Sequence, residues 1–334
     1  MVVIQSYAVA VAMCFVTMLC WGSWANTQKL ASKEWKFQLF YWDYSIGVLL
    51  LAIVMAFTMG SMGSTGRGFL SDLGQISGKA LALAFLGGIV FNLANILLVA
   101  AIDIAGMAVA FPVGIGIALV EGVVINYIAK PLGNPVILFL GVAGVTAAII
   151  IDAIAYKKLP TQGQKTTAKG IIISVAAGLL MGLFYYLVAA SLAPDFTQPQ
   201  AGKVGPYAAV FVFALGLFAS SFLWNSIVMA KPFVGEPVPF SDYLTKGNAP
   251  LHLIGILGGV IWGVGMSLNI VASGRAGPAV SYGLGQGATM IAALWGVFIW
   301  NEFKSAPAGT NKLLALMFAC YIVGLALIIT ARVV

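Results

Sequence analysis

Glu121 stands near the middle of a long apolar run, Gly106 to Ile128, where a charged side chain costs at least about 2.5–3.5 kcal/mol on insertion scales. A carboxyl in that position is expected to face a polar cavity or to hold a proton there. A group that titrates in such a place can accept a proton from one side and release it on the other. Proton coupling is therefore the chemistry expected of Glu121, and the structural alternative is a neutral acid bonded to a neighbouring helix. Asp43, in Tyr41-Trp42-Asp43-Tyr44, is the second candidate. If its helix starts near Trp35 the carboxylate lies inside the span and supports coupling or gating. If it starts at Phe40, the group is interfacial and the three aromatics form a membrane-surface belt. Asp152 and His252, close to span ends, are expected to reach water, and Glu302 and Lys304 to mark a solvated helix end.

The other polar residues within the apolar runs are almost all uncharged. Asn26, Asn92, Asn95, Asn269 and Gln286 are accompanied by Trp24, Tyr186, Trp262 and Tyr282. Carboxamides supply both donors and acceptors, and flat rings suit stacking on a planar amide or the apolar face of a sugar. The set is expected to line a cavity for a small, neutral, polar molecule, although any one member could be an interhelical contact. Pro112, Gly114 and Gly116 precede Glu121, and Gly283 and Gly285 follow Pro278 in a second, related segment. Matching Gly/Pro interruptions point to hinges at a transport site, because freed backbone groups are tolerated only beside a cavity or a protein partner. Close helix packing is the plainer use of the same small residues.

These side chains must be positioned by membrane helices. Hydrophobic residues make up 61% of the 334 and charged residues 8%, far from the roughly one-quarter charged fraction of soluble domains. Ten apolar runs lie near 5–26, 38–60, 80–102, 106–128, 134–156, 169–192, 206–230, 249–273, 277–300 and 311–332, each long enough to cross a hydrocarbon core of roughly 30 Å. The expected class is an all-α polytopic membrane protein with no cleaved signal peptide. Its net charge of +7 is scattered over loops with no basic stripe, so nucleic acid is not an expected partner. The loops after the odd-numbered spans hold more Lys and Arg than the others, and the positive-inside rule then puts both termini outside. Cys14, Cys20 and Cys320 fall inside spans, and no metal-ligand spacing or cofactor motif is present. Gly163-Gln164-Lys165-Thr166 lacks the spacing of a phosphate loop. With one His and no HExxH, GxSxG or paired mid-membrane carboxylates, an enzyme is not expected.

The chain is internally duplicated. Gly87 to Ile125 lies over Gly258 to Gly296 without a gap, setting Gly87-Gly88 on Gly258-Gly259, Phe91 on Trp262, Gly106 on Gly277, Phe111 on Tyr282 and Gly114 on Gly285. Glu121 falls on Ala292 and Asn95 on Met266, so the scaffold repeats while the ionisable group does not. This divides the chain into a first five-helix repeat, 1–156, a polar linker, 157–168, and a second repeat, 169–334.

Trp21-Gly22-Ser23-Trp24, Asp43-Tyr44-Ser45-Ile46, the Gly87-Gly88 to Asn95 segment and Gly277 to Lys304 together resemble the ureide permeases of plants. They are similar, more distantly, to the bacterial glucose/ribose and rhamnose uptake proteins of the drug/metabolite transporter superfamily. The resemblance implies ten helices in two inverted five-helix repeats and proton-coupled uptake of allantoin-like ureides, nucleobases or sugars. It also implies cytoplasmic termini, against the charge count. The long charged central loop of the plant proteins is missing here. The expected function is secondary active transport in the inner (plasma) membrane of a bacterium, ureides or nucleobases first and sugars second, with drug or metabolite export as the rival. Expected partners are that substrate, a proton or sodium ion, and the lipid bilayer; oligomeric state is left open.

Overall fold

The computed structural model describes residues 1–31, 34–159 and 167–334. Lys33 and most of the expected linker, including Gly163 to Thr166, lie outside the described residues. Among those described, regular structure is helical apart from two isolated bridges, and ten segments are long and apolar enough to span a membrane. The first span is α1 (Tyr7–Ser23) followed, after a break at Trp24, by α2 (Ala25–Ala31). Spans two to five are α3 (Phe37–Phe57), α5 (Gly78–Ala105), α6 (Met107–Ala129) and α7 (Pro135–Tyr156), with a short surface helix α4 (Phe69–Gln75) before α5. Spans six to eight are α8 (Ala168–Ser191), α9 (Pro206–Ala230) and α11 (Ala249–Ala276), with α10 (Ser241–Thr245) between the last two. The ninth is α12 (Pro278–Gly285), α13 (Ala288–Leu294) and a π-helical turn at Trp295–Ile299; the tenth is α14 (Thr310–Thr330).

Helix starts follow local chemistry. Ser6, Ser77, Asn134, Thr167 and Asn248 each accept a backbone N–H of the first turn that follows them, satisfying donors that have no intrahelical partner. The two hairpins nearest the cavity are built alike. Gly106 between α5 and α6 (φ 78°, ψ 157°) and Gly277 between α11 and α12 (φ 85°, ψ 151°) adopt one conformation, which a side chain would strain.

The packing repeats as the sequence does. α5 packs on α8 as α1 packs on α11; α5 crosses α9 as α3 crosses α11; α7 meets α14, and α3 meets α9. The crossings agree residue by residue. Gly88 faces the Phe213 carbonyl and Leu217 N–H, as Gly259 faces the Tyr44 carbonyl and Val48 N–H; Gly216 faces the Phe85 carbonyl as Gly47 faces that of Ile256. These are backbone-to-backbone approaches that only a residue without Cβ permits.

One end of the bundle is sealed. Asp72, 2% exposed, accepts the Gly205 N–H at 2.6 Å and the Arg67 Nε–H at 3.1 Å. Arg67 also donates to the Gln200 and Lys203 carbonyls, both at 2.8 Å, and Gln75 accepts the Gly202 N–H at 2.6 Å. The loop before α5 is thereby stitched to the loop before α9. Burial holds the Asp72 carboxyl above the ordinary aspartate range, against the opposing Gly205 N–H and Arg67.

Candidate functional site

A cavity of about 470 Å³, within the range of small-molecule sites, opens at the other end. Its wall comes from both halves: α1 and α2, α5, the start of α6, the end of α7, α8, α11 and the ninth span from Gln286 onward. The deep part is aromatic. Trp21 stacks on Trp262 with centroids 5.9 Å apart and planes within 13°. Phe91, its counterpart across the repeat, approaches Trp262 to 4.3 Å. The Trp21 slot exists because Gly265 and Gly285 flank it; a Cβ there would meet the indole at 2.6 and 2.8 Å. Asn95 and Gln286 add carboxamides and Thr289 a hydroxyl to this wall.

The mouth is charged. Lys29 Nζ lies 2.7 Å from Glu302 Oε1 and 4.3 Å from the Trp300 ring centroid. The Tyr156 hydroxyl donates to Glu302 Oε2 at 2.7 Å. Spans one, five and nine are thus joined at the rim. Trp300 Nε1 donates to Asn26 Oδ1 at 2.7 Å, and Trp295 Nε1 to Ser23 Oγ at 2.9 Å. Asp103 and Asp152 also line this part. Asp152 is 7% exposed, and its Oδ1 is buried without a partner.

Of the residues expected to bind substrate, Trp24, Asn26, Asn95, Trp262 and Gln286 therefore share one wall. Asn92 instead donates to the Leu217 carbonyl and to Ser220 and Ser221, tying α5 to α9. Asn269 donates to the Ser281 carbonyl at 2.8 Å. The Tyr282 hydroxyl reaches the Ala118 and Met181 carbonyls at 3.1 and 3.0 Å. Tyr186 is half-buried on α8 outside the cavity wall. Glu121 is half-buried on α6 beside Gly182 of α8, its Oε2 buried without a partner, and it too lies outside the wall. Of the expected hinges, Pro112 lies inside α6, where it leaves a gap in the ladder. Gly114 and Gly116 are buried on the next turn of that helix, and Gly283 and Gly285 close α12.

Asp43 forms a separate cluster. α3 begins at Phe37, and the carboxylate is 1% exposed, accepting from the Tyr243 hydroxyl at 2.5 Å and Trp35 Nε1 at 3.1 Å, with His252 Nδ1 at 2.9 Å. Burial, and then the Asp43 carboxylate it faces, hold the Tyr243 phenol above the ordinary tyrosine range.

Asp152 and Glu302 depart from their expected places, whereas His252 keeps 28% of its side chain exposed and bonds Asp43 besides. Asp152 stays in the cavity wall. Glu302 is an interhelical partner, because the π-helical turn and Asn301 (φ 52°) bring the chain back against α2 and α7. The overlooked signal was Asp152 and Tyr156 in the last turn of an otherwise apolar run, spaced four apart and so on one helix face.

A family model described as Ureide permease matches residues 40–165 and 158–331. Ureide permease 1 of Arabidopsis thaliana is 24% identical over 388 aligned positions, covering 99% of this chain and 99% of the relative. The Glucose uptake protein GlcU of Bacillus subtilis (strain 168) is 24% identical, covering 86% of this chain and 85% of its own. A solved crystal structure described only as that of a protein matches 98% of this chain and 99% of its own with a TM-score of 0.62 at 17% identity, a likeness of fold.

Proposed function

The chain belongs to the ureide permease family, and from that premise we propose that it is a secondary active transporter driving proton-coupled uptake of a small neutral ureide or nucleobase across a bacterial plasma membrane. The observation that carries this reading is the cavity itself: Trp21 stacked on Trp262, with Phe91 tilted against Trp262, beside Asn95 and Gln286. A planar molecule rich in N–H and C=O groups can stack on the rings while the carboxamides pair with its edge. The two halves are read as inverted repeats. Each holds five spans, so the second crosses in the opposite sense to the first, and the exchanged glycine crossings fit a two-fold axis in the membrane plane.

Trp24, Asn26, Asn95, Trp262 and Gln286 are assigned to substrate, and the carboxyl that couples is sought among Glu121, Asp43 and Asp152. A sugar is the second reading, supported by the similarity to the glucose uptake protein and by rings that could stack on a pyranose face. Uptake of labelled allantoin, uracil, glucose and rhamnose into proteoliposomes, with and without an inward proton gradient, tests both. Gradient-driven accumulation of allantoin or uracil is the expected result. Accumulation of glucose or rhamnose alone would select the second reading, and accumulation indifferent to the proton gradient would remove proton coupling.

A further inference from the structure

Among the described residues, Glu121 Oε2 and Asn269 Oδ1 are two of the acceptors buried without a donor on the side where the cavity is absent, Asn126 Oδ1 being another. Buried acceptors of this kind call for a partner. The register of the repeat relates both to the open cavity. Asn269 is the counterpart of Leu98, Tyr282 of Phe111 and Glu121 of Ala292, and Leu98, Phe111 and Ala292 all line the cavity. In the same register Phe91 pairs with Trp262 and Ile115 with Gln286, and all four line it.

The positions thus fall into two classes. Phe91, Trp262, Ile115 and Gln286 lie on the cavity in both halves and mark its fixed centre. Leu98, Phe111 and Ala292 lie on it in one half only, and their mates are shut. When two equivalent halves rock about a fixed centre, each takes up the arrangement of the other. The duplicated glycine crossings and the matched Gly106 and Gly277 hairpins supply that equivalence.

We infer that Glu121, Asn269 and Tyr282 form the wall of a second cavity that opens at the opposite end when the mouth closes, and that its ligand presents N–H donors to Glu121 and Asn269. This rests on the transporter reading above and deepens it. The substrate passes from the Leu98–Phe111–Ala292 wall to the Asn269–Tyr282–Glu121 wall while Trp262 and Gln286 keep hold of it. Ureido N–H groups suit the two orphan acceptors.

The test needs no transport. Ala292→Cys, on the open wall, and Ala118→Cys, the buried mate of the cavity residue Thr289, are made in a full-length chain with Cys14, Cys20 and Cys320 replaced by Ser. Membrane-impermeant maleimide is applied from each side, before and after a bifunctional thiol reagent joins Gln28→Cys on α2 to Asp103→Cys on α5 across the mouth, two cavity-lining positions on separate helices. Joining the mouth is expected to reduce labelling of Ala292→Cys to background and to make Ala118→Cys reactive from the opposite side. Allantoin is expected to protect Ala118→Cys in the joined protein, and Glu121→Leu to abolish that protection. Ala118→Cys unreactive from both sides, with Ala292→Cys shut off by the joined mouth, would overturn the second cavity. Reciprocal labelling without protection by allantoin would leave the second cavity standing and sink the ureide reading and Glu121's assigned ligand.

Discussion

The Asp43 cluster permits a quantitative test of what holds the mouth-side loops to the bundle. The carboxylate takes the Tyr243 hydroxyl, His252 and Trp35 at 2.5, 2.9 and 3.1 Å, so one side chain fastens α10, α11 and the segment before α3. A hydrogen bond to a charged group contributes about 1.5–3 kcal/mol. Tyr243→Phe removes one and leaves the carboxylate two, so a loss near the lower end, about 1.5 kcal/mol, is expected because the ring is half-exposed. Asp43→Asn preserves shape but offers one acceptor oxygen to three groups and turns an amide donor on one of them. It should cost about 1–3 kcal/mol for each buried group it leaves without a partner. In the double variant the Tyr243 hydroxyl that Asp43→Asn alone would leave unpaired is already gone, so the combined loss should fall short of the sum by about 1 kcal/mol or more. Equilibrium unfolding in mixed micelles would measure all four corners. Removing the negative charge should also let the Tyr243 phenol fall toward its ordinary pKa of about 10, read as the phenolate absorbance lost in Tyr243→Phe. Strict additivity of the two substitutions, or a Tyr243 titration unmoved by Asp43→Asn, would refute the shared carboxylate.

Gly88→Ala and Gly259→Ala should destabilise alike, each by about 3 kcal/mol or more, since each Cβ meets a rigid backbone carbonyl; a loss in only one would deny that the crossings are equivalent. Gly296→Ala sets a Cβ 2.9 Å from both Glu302 Oε2 and the Tyr156 hydroxyl and should break the bond between them, so that Tyr156→Phe adds no further loss of stability in that background. Asp72 has a raised carboxyl pKa in the folded protein, so its contribution to stability is full below the ordinary aspartate pKa of about 3.9 and declines as pH rises through the raised value. Thermal unfolding across that window should show a fall in wild type that Asp72→Asn lacks, and identical pH profiles would remove the assignment.

The helices were legible because length and apolarity alone define a span, and the duplication because glycines at the crossings cannot vary without collision. Asn95, Trp262 and Gln286 were legible as a set because polar and aromatic groups inside a membrane need somewhere to face. Glu302 was hidden: its role depends on a π-helical turn and one left-handed residue, Asn301, that no periodicity announces. Asp152 was misplaced for a related reason, and the Asp43 partner of His252 was missed. Position near a span end says that water is within reach, but not whether a closer partner or cavity wall intervenes. Asn92, Asn269 and Tyr282 carried the same residue-type signal as the cavity set, and only the three-dimensional register separates the two.

The two ends of the bundle are tied by unlike chemistry: one is sealed, while the other stays open with its rim link formed. At the sealed end a buried carboxylate, Asp72, and Arg67 satisfy backbone groups of a neighbouring loop; breaking the buried Gly205 bond to Asp72 strands its donor, at about 1–3 kcal/mol. At the mouth the link is Lys29 to Glu302, with side chains 45% and 30% exposed, and pairs that water can screen contribute about 0–1 kcal/mol. Opening the sealed end therefore strands that donor, whereas the mouth yields or closes for little. A substrate that shifts the balance must do most of its work on the sealed side. In the proposed second cavity the orphaned acceptors of Glu121 and Asn269 would supply that differential binding, gaining partners when that side opens.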